Sequence, residues 1–152
     1  MKRYALGGFA GLIATLLMTV IIAIARRLGL LRTPPPEQIT ANATRHADAS
    51  PDKGTPGWTA GWLTAHFSFG TGLGVITASV IRVLPRSSLA GGAILGIFIW
   101  LINYCGILPA LHLYPPPQDD TRTRRLVMIV AHLVYGISLV RIIRRLFGAD
   151  HR

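Results

Sequence analysis

The chain has 152 residues, of which 51% are hydrophobic and only 14% are charged. Soluble domains carry about 25% charged residues, so this chain lacks the charge that covers a soluble surface. The net charge of +10 does not indicate a nucleic-acid partner, because the basic residues lie at the ends of apolar runs, where they would meet lipid headgroups. Composition therefore excludes an ordinary soluble domain and indicates a polytopic membrane protein.

Four apolar segments follow one another along the chain, at residues 4–25, 60–84, 89–108 and 126–140. A membrane-spanning helix needs about 20 apolar residues, and only the fourth segment is shorter. That segment spans if the arginines at its ends extend their guanidinium groups to the interface. The first segment is too long, and too closely followed by two arginines, for a cleaved signal peptide. The sequence thus predicts an all-α fold, a bundle of four transmembrane helices in one membrane domain over residues 1–152.

The connections between these segments differ in length. Residues 85–88 form a tight turn between the second and third segments, whereas residues 26–58 form a long loop between the first and second. Within the loop, Thr33 followed by prolines predicts a helix start, with Thr33 as the N-cap and a polar helix over residues 37–47. Residues 48–57 have the composition of a linker.

An internal duplication is the most informative feature of the sequence. Residues 65–70 and 131–136 both read Ala-His-apolar-x-aromatic-Gly, and each copy follows a helix that starts with Gly-Gly and ends before three prolines. The chain is therefore interpreted as two tandem helical hairpins, residues 4–84 and 89–147. Because each unit contains two spans, the copies would be related by a pseudo-two-fold axis along the membrane normal.

Glycines at small-xxx-small spacing mark predicted helix-packing faces, because close backbone approach drives helix association in lipid. The pairs at this spacing are Gly7 with Gly11, Gly70 with Gly74, and Gly92 with Gly96. Gly136, in the second copy of the repeat, is also predicted to lie on a packing face.

Four polar residues interrupt the apolar segments and are the candidates for function, since polar groups within spans are functional candidates by default. They are His66, Asn103, Tyr104 and His132. The two histidines lie at matching positions in the repeat. They are interpreted first as a structural pair that donates interhelical hydrogen bonds, so no cofactor is expected. One alternative is axial ligation of a b-type haem by His66 and His132, and another is a small-solute or proton path that includes Asn103.

No nucleophile–base pair, phosphate-binding loop or metal-ligand cluster stands out in the sequence, so an enzyme is not expected. Cys105 is interpreted as a packing residue, and Tyr114 as part of an interfacial aromatic belt. Near the C-terminus, Arg141, Arg144 and Arg145 share one helix face and are expected to bind anionic headgroups. The predicted partners are the lipid bilayer and a homo-oligomer or larger membrane complex.

The positive-inside rule does not orient the chain, because eight basic residues fall on each side of the predicted membrane. Five of the six acidic residues lie on the side of the long loop, and we expect both termini on the other side, in the cytoplasm.

Several short motifs together resemble a known family. They are the Gly-Gly helix start, Leu30-Leu31 before Pro34-Pro35, the two Ala-His helices, and Trp100, Tyr104, Gly106 and Pro109 in the third segment. The whole is similar to small bacterial inner-membrane proteins of unknown function, of the YagU-like kind. This resemblance implies a location in the bacterial cytoplasmic membrane and implies no activity, ligand or catalytic residue.

Overall fold

A computed structural model of the chain describes residues 1–47 and 52–149. Part of the predicted linker, residues 48–51, lies outside the described residues, and so does the end of the predicted domain, residues 150–152. The described elements are all helical. They are α1 (Lys2–Arg27), α2 (Pro35–His46), α3 (Pro56–Val80), α4 (Ser88–Ala110) and α5 (Arg122–Ala149).

Four of these helices, α1, α3, α4 and α5, are long and apolar enough to cross a membrane. The predicted all-α class and its four apolar helices are therefore confirmed. The fourth apolar segment is short, but α5 extends past it in both directions and is 28 residues long.

Local signals set the helix starts. The hydroxyl oxygen of Thr55 accepts a hydrogen bond from the backbone N–H of Trp58 at 3.2 Å, and Pro56 takes the first helical position of α3. Ser87 caps α4 in the same way through Ala90. The polar helix in the long loop exists, but the prediction that Thr33 caps it is wrong. Pro34 is the N-cap, because a residue that precedes a proline is driven into the extended conformation.

Helix α4 is irregular near its end, because Ile102–Ile107 form a π-helix rather than an α-helix. Pro109 supplies the physical reason. Its nitrogen has no hydrogen to donate, and its ring crowds the carbonyl group of Cys105, four residues earlier. The wider turn accommodates that missing hydrogen bond and changes the direction of the side chains around it.

The helices pack in the order α3, α1, α5, α4. Helix α1 packs along α3 and α5, and α5 packs along α4, whereas the described parts of α3 and α4 have almost no direct contact. We call α1 with α3 the first hairpin and α4 with α5 the second hairpin. The expected two-fold axis would exchange α1 with α4 and α3 with α5. The close packing of α1 against α5 would then be repeated between α3 and α4. The structure has a gap between α3 and α4 instead, so the two hairpins do not follow this axis.

Candidate functional site

The gap between α3 and α4 contains a half-enclosed cavity of about 280 Å³. Helices α1 and α5 form its floor, and α2 covers one end. No charged side chain lines it among the residues that the structure describes. Its polar lining residues are Thr15, Thr40, His66, Trp100, Asn103, Tyr104, Tyr114, His132 and Tyr135. The cavity therefore brings together all four polar residues that the sequence singled out.

The two histidines lie at the same distance along their helices. His66 is ten residues beyond the start of α3 at Pro56, and His132 is ten residues beyond the start of α5 at Arg122. At a rise of about 1.5 Å per residue, both rings lie about 15 Å from the start of their helices. A ligand in the cavity could therefore reach both rings.

His132 is held by its own helix. Its Nδ1 atom lies 2.8 Å from the carbonyl oxygen of Met128. A carbonyl oxygen can only accept, so Nδ1 carries the hydrogen and Nε2 of the neutral ring has a free lone pair. The sequence interpretation of a histidine that donates to a backbone carbonyl matches this bond, although the acceptor lies within α5 and not on another helix.

His66 differs from His132 in its hydrogen bonding. Its Nε2 atom is buried and has no hydrogen-bond partner in the described structure. The ring meets Phe67 edge-on, at 5.8 Å between ring centroids. An imidazole nitrogen without a partner in an apolar environment is energetically unfavourable.

A second buried polar atom without a partner lines the same cavity. It is Nε1 of Trp100, on α4, which finds no acceptor among the described residues. The indole ring stacks on Tyr104, with ring centroids 5.2 Å apart and an angle of 17° between the planes. The indole N–H can only donate, and what it lacks is therefore an acceptor.

The loop-side end of the cavity is closed by a cluster around Asp120. The carboxylate accepts hydrogen bonds from the hydroxyl groups of Tyr104 at 2.8 Å and Tyr114 at 3.3 Å. Burial, and the nearby carboxylate of Asp120, raise the pKa of the Tyr114 hydroxyl, although Arg124 opposes them. Tyr114 is only 3% exposed, so its assignment to an interfacial belt is wrong. Asp120 accepts its hydroxyl hydrogen and makes its burial possible.

Helix α2 is fastened over this end by side-chain bonds to the rest of the bundle. Arg124 donates to the side-chain oxygen of Gln38, Asn42 donates to the carbonyl oxygen of Leu113 at 2.8 Å, and the indole of Trp58 donates to Glu37 at 3.3 Å. Sequence reasoning did not identify Asp120 or Gln38. The one signal for Asp120 was its position between a triproline segment and the start of α5.

Asn103 makes its side-chain hydrogen bond within its own helix. Its side-chain nitrogen donates to the carbonyl oxygen of Ile99 in α4, at 2.9 Å. The bond spans the start of the π-helix and satisfies the amide locally. The structure places Cys105, the neighbour of Tyr104, on the exposed surface.

A comparison with known proteins identifies the family of this chain. The sequence model of DUF6789, a family of unknown function, matches residues 1–152. The chain belongs to the DUF6789 family. No curated protein and no solved structure is significantly similar to it. The YagU-like resemblance stays a prediction.

In this DUF6789 chain, the glycines predicted to form packing faces lie where α1 approaches α3 and where α4 approaches α5. In the first hairpin, a Cβ atom added to Gly7 would lie 2.7 Å from the carbonyl oxygen of Gly74, and one added to Gly11 would lie 2.5 Å from that of Gly70. In the second hairpin, Cβ atoms at Gly92 and Gly96 would meet the backbone of α5, at Gly136 and His132 respectively.

The three C-terminal arginines of the DUF6789 chain have different surroundings. Arg144 donates to the backbone carbonyl groups of Pro85, at 2.6 Å, and of Arg86 in the turn between the hairpins. Arg141 and Arg145 are exposed. Arg144 therefore holds the turn, and the other two are free to meet the surroundings of the bundle.

Proposed function

We propose that this protein is a non-enzymatic, multi-pass membrane protein that binds a neutral small molecule from the bilayer in the cavity between α3 and α4. The observation that carries this proposal is the half-enclosed cavity of about 280 Å³ itself, whose mostly apolar lining includes His66, Trp100 and His132. The bacterial resemblance supports a location in the inner membrane. Both termini lie in the cytoplasm in this proposal, on the side opposite to the long loop and its acidic residues.

The composition of the lining supports a neutral ligand at this place. No Asp, Glu, Lys or Arg lines the cavity within the described residues, and an unpaired ion in an apolar site is strongly unfavourable. Apolar lining with a few convergent polar groups is also the usual character of a small-molecule site.

A cavity-filling variant tests the proposal. Ala65 lines the cavity, so Ala65→Phe should fill it, whereas Ala60→Phe lies on α3 outside the lining and serves as the matched control. The probe is 2-naphthol, a neutral aromatic alcohol, added to the purified protein in mild detergent.

We expect 2-naphthol to raise the thermal unfolding midpoint of the wild type and of Ala60→Phe, and to leave that of Ala65→Phe unchanged. A ligand at about 100 times its Kd stabilises by about 2.7 kcal/mol, so the shift is measurable. Equal shifts in all three proteins, or no shift in the wild type, would overturn the proposal.

Haem binding is a second candidate, favoured by one observation. The bond from Nδ1 of His132 to the Met128 carbonyl oxygen leaves Nε2 free, as in histidines that bind metals. With His66 as the opposite ligand, the protein would carry a b-type haem for electron transfer. The absorption spectrum of the purified protein tests this. A Soret band that disappears in His66→Ala would support haem, and a spectrum without one would exclude it.

Two further parts of the proposal concern partners. Arg141 and Arg145 bind anionic lipid headgroups, because both are exposed near the end of a long apolar helix. The apolar outer face of α1, with Phe9, Leu16 and Val20 each about half exposed, meets lipid or a second subunit of a homo-oligomer or larger complex. The small-solute or proton transport interpretation stays a prediction.

A further inference from the structure

We infer that the end of the bundle opposite α2 contains a binding site for the phosphate group of an anionic phospholipid, in a cleft where Arg82 and Arg86 meet the end of α5. This site is separate from the cavity between α3 and α4 and from the exposed Arg141 and Arg145. The inference rests on the membrane location in the proposed function and is independent of the ligand proposed for the cavity.

The cleft lies between the end of α3, the turn between the hairpins and the end of α5, and has a volume of about 400 Å³. Each of these three parts of the chain contributes one arginine to the lining: Arg82, Arg86 and Arg144. Arg82 belongs to the short helical turn Ile81–Val83 that follows α3. Because Arg82 and Arg86 are exposed, a molecule outside the bundle can reach both of them.

No carboxylate pairs with these arginines among the residues that the structure describes. The one ion pair found there joins Arg124 to Asp120, at the opposite end of the bundle. The acidic residues of the described chain all lie on the side of α2. They are Glu37, Asp52, Asp119 and Asp120. Positive groups that converge on one cleft repel each other, so an anion bound between them is stabilised.

Arg144 is already fixed in position at the cleft. Its guanidinium group donates to the backbone carbonyl oxygens of Pro85, at 2.6 Å, and of Leu84, at 3.4 Å. Carbonyl groups orient a guanidinium group but carry no net charge, so the positive charge of Arg144 remains. These bonds also hold the turn that carries Arg86. Less conformational freedom is therefore lost when an anion binds than at a mobile arginine cluster.

A fourth guanidinium group, from the start of α1, lies beside the cleft. The Nε atom of Arg3 donates to the carbonyl oxygen of Ala78 at 2.8 Å. The Cζ atom of Arg3 lies 5.3 Å from the centroid of the Phe147 ring, and Phe147 lines the cleft. Arg3 is thus held between α3 and α5, and its charge adds to the positive potential at this end of the bundle.

The apolar part of the lining favours a lipid over a soluble anion. Ile81, Leu84 and Phe147 line the cleft together with the arginines, and Val83 and Leu89 near the turn are exposed. Acyl chains can pack on such surface while arginines bind phosphate oxygens in pairs. A zwitterionic headgroup would bring an ammonium group close to the arginines. The cleft therefore fits a phospholipid with a net negative charge, as basic pockets between transmembrane helices do.

Two lipids and two double variants test this inference. Dioleoyl phosphatidylglycerol and dioleoyl phosphatidylcholine have the same acyl chains, but only the first has a net negative charge. The test variant is Arg82→Gln/Arg86→Gln. The matched control is Arg141→Gln/Arg145→Gln, which removes the same charge from exposed positions outside the cleft lining. Native mass spectrometry of the purified protein in mild detergent would measure the Kd of the first lipid that binds.

We expect the wild type and the control to bind the first phosphatidylglycerol with the same Kd, and to prefer it to phosphatidylcholine. Arg82→Gln/Arg86→Gln should bind it about 25-fold more weakly, since each arginine near an anionic lipid contributes about fivefold. Both arginines are exposed, so we expect the thermal unfolding midpoint to stay unchanged. Equal weakening in the two double variants, or no preference for phosphatidylglycerol in the wild type, would overturn the site and leave the proposed cavity ligand unaffected.

Glycerol phosphate separates a lipid from a soluble phosphate ester, because it has the phosphate group without the acyl chains. We expect it to leave phosphatidylglycerol bound when the two are present at equal concentration. If it displaced the lipid under these conditions, the cleft would bind a soluble phosphate ester, and its assignment to a phospholipid would be wrong.

Discussion

The two copies of the Ala-His motif have nearly the same sequence and different surroundings. In the second hairpin, Tyr135 is 3% exposed and donates a hydrogen bond to the carbonyl oxygen of Gly70 at 2.7 Å. Its counterpart in the first hairpin, Phe69, is 54% exposed and has no hydroxyl group. His132 has a hydrogen-bond partner, whereas Nε2 of His66 has none. The copy on inner helix α5 stabilises the bundle, and the copy on outer helix α3 forms an open wall.

The two hairpins also differ in the position of their glycine contacts. Gly70 and Gly136 occupy the same position in the motif. In the first hairpin, Gly11 approaches the carbonyl oxygen of Gly70, whereas in the second hairpin Gly96 approaches that of His132, one turn nearer the start of the helix. The register of the glycine contacts therefore differs by one turn between the two hairpins.

The largest expected effect comes from the glycine contact of the second hairpin. A side chain at Gly136 would meet the backbone of Gly92 and Gly96, which cannot move aside, whereas one at Gly72 would meet nothing within 4 Å. We expect Gly136→Leu to lower the free energy of unfolding by about 3 kcal/mol and Gly72→Leu to leave it nearly unchanged. Denaturant unfolding in mixed micelles measures both. Equal stability of the two variants would contradict the packing described here.

Substitution of the two histidines should affect stability and ligand binding differently. His132→Ala removes a buried, hydrogen-bonded ring and should cost about 2 kcal/mol of stability. His66→Ala removes a ring whose Nε2 is unsatisfied, so we expect a smaller cost, below about 1 kcal/mol, together with weaker binding of 2-naphthol. Thermal unfolding with and without the probe tests both. If His66→Ala lost more stability than His132→Ala, the assignment of a stabilising role to His132 and a binding role to His66 would be wrong.

Exchanging the aromatic residues of the motif gives a more conservative test. Tyr135→Phe removes one hydrogen bond between the hairpins and should cost about 1 kcal/mol. Phe69→Tyr adds a hydroxyl group at an exposed position and should change stability by less than about 0.5 kcal/mol. Both are measured by denaturant unfolding. If the two substitutions cost the same, the buried hydroxyl of Tyr135 contributes nothing specific to the association of the hairpins.

The smallest expected effect concerns the arginines at the end of the second hairpin. Each basic group near an anionic membrane contributes about 1 kcal/mol or less to lipid binding. Arg141→Gln and Arg145→Gln should therefore each reduce the anionic lipid that co-purifies with the protein. Arg144→Gln should instead lower stability, because Arg144 holds the turn between the hairpins. A loss of lipid in Arg144→Gln alone would contradict this division.

The helices were predictable from the sequence because their signals are local. Apolar runs define the four long helices, although α3 begins at Pro56, inside the predicted linker of residues 48–57. The helix order was not predictable, because the same hairpins could pack in several ways and only side-chain fit selects one. His66 and His132 could be singled out as polar interruptions of apolar runs. The unpaired state of Trp100 and the pairing of Tyr114 with Asp120 depend on contacts between distant parts of the chain.

The π-helix in α4 has a consequence for the length of the chain. A π-turn contains one residue more than an α-turn, so deleting one residue from Ile102–Ile107 would bring this turn to α-helical length, and Pro109 would then bend the end of the helix by crowding the carbonyl group four residues earlier. The same deletion in α1 would rotate everything beyond it by about 100°, and would turn its buried glycine face away from α3. In α4 the deletion would lie beyond Gly92 and Gly96, so their contacts with α5 would remain.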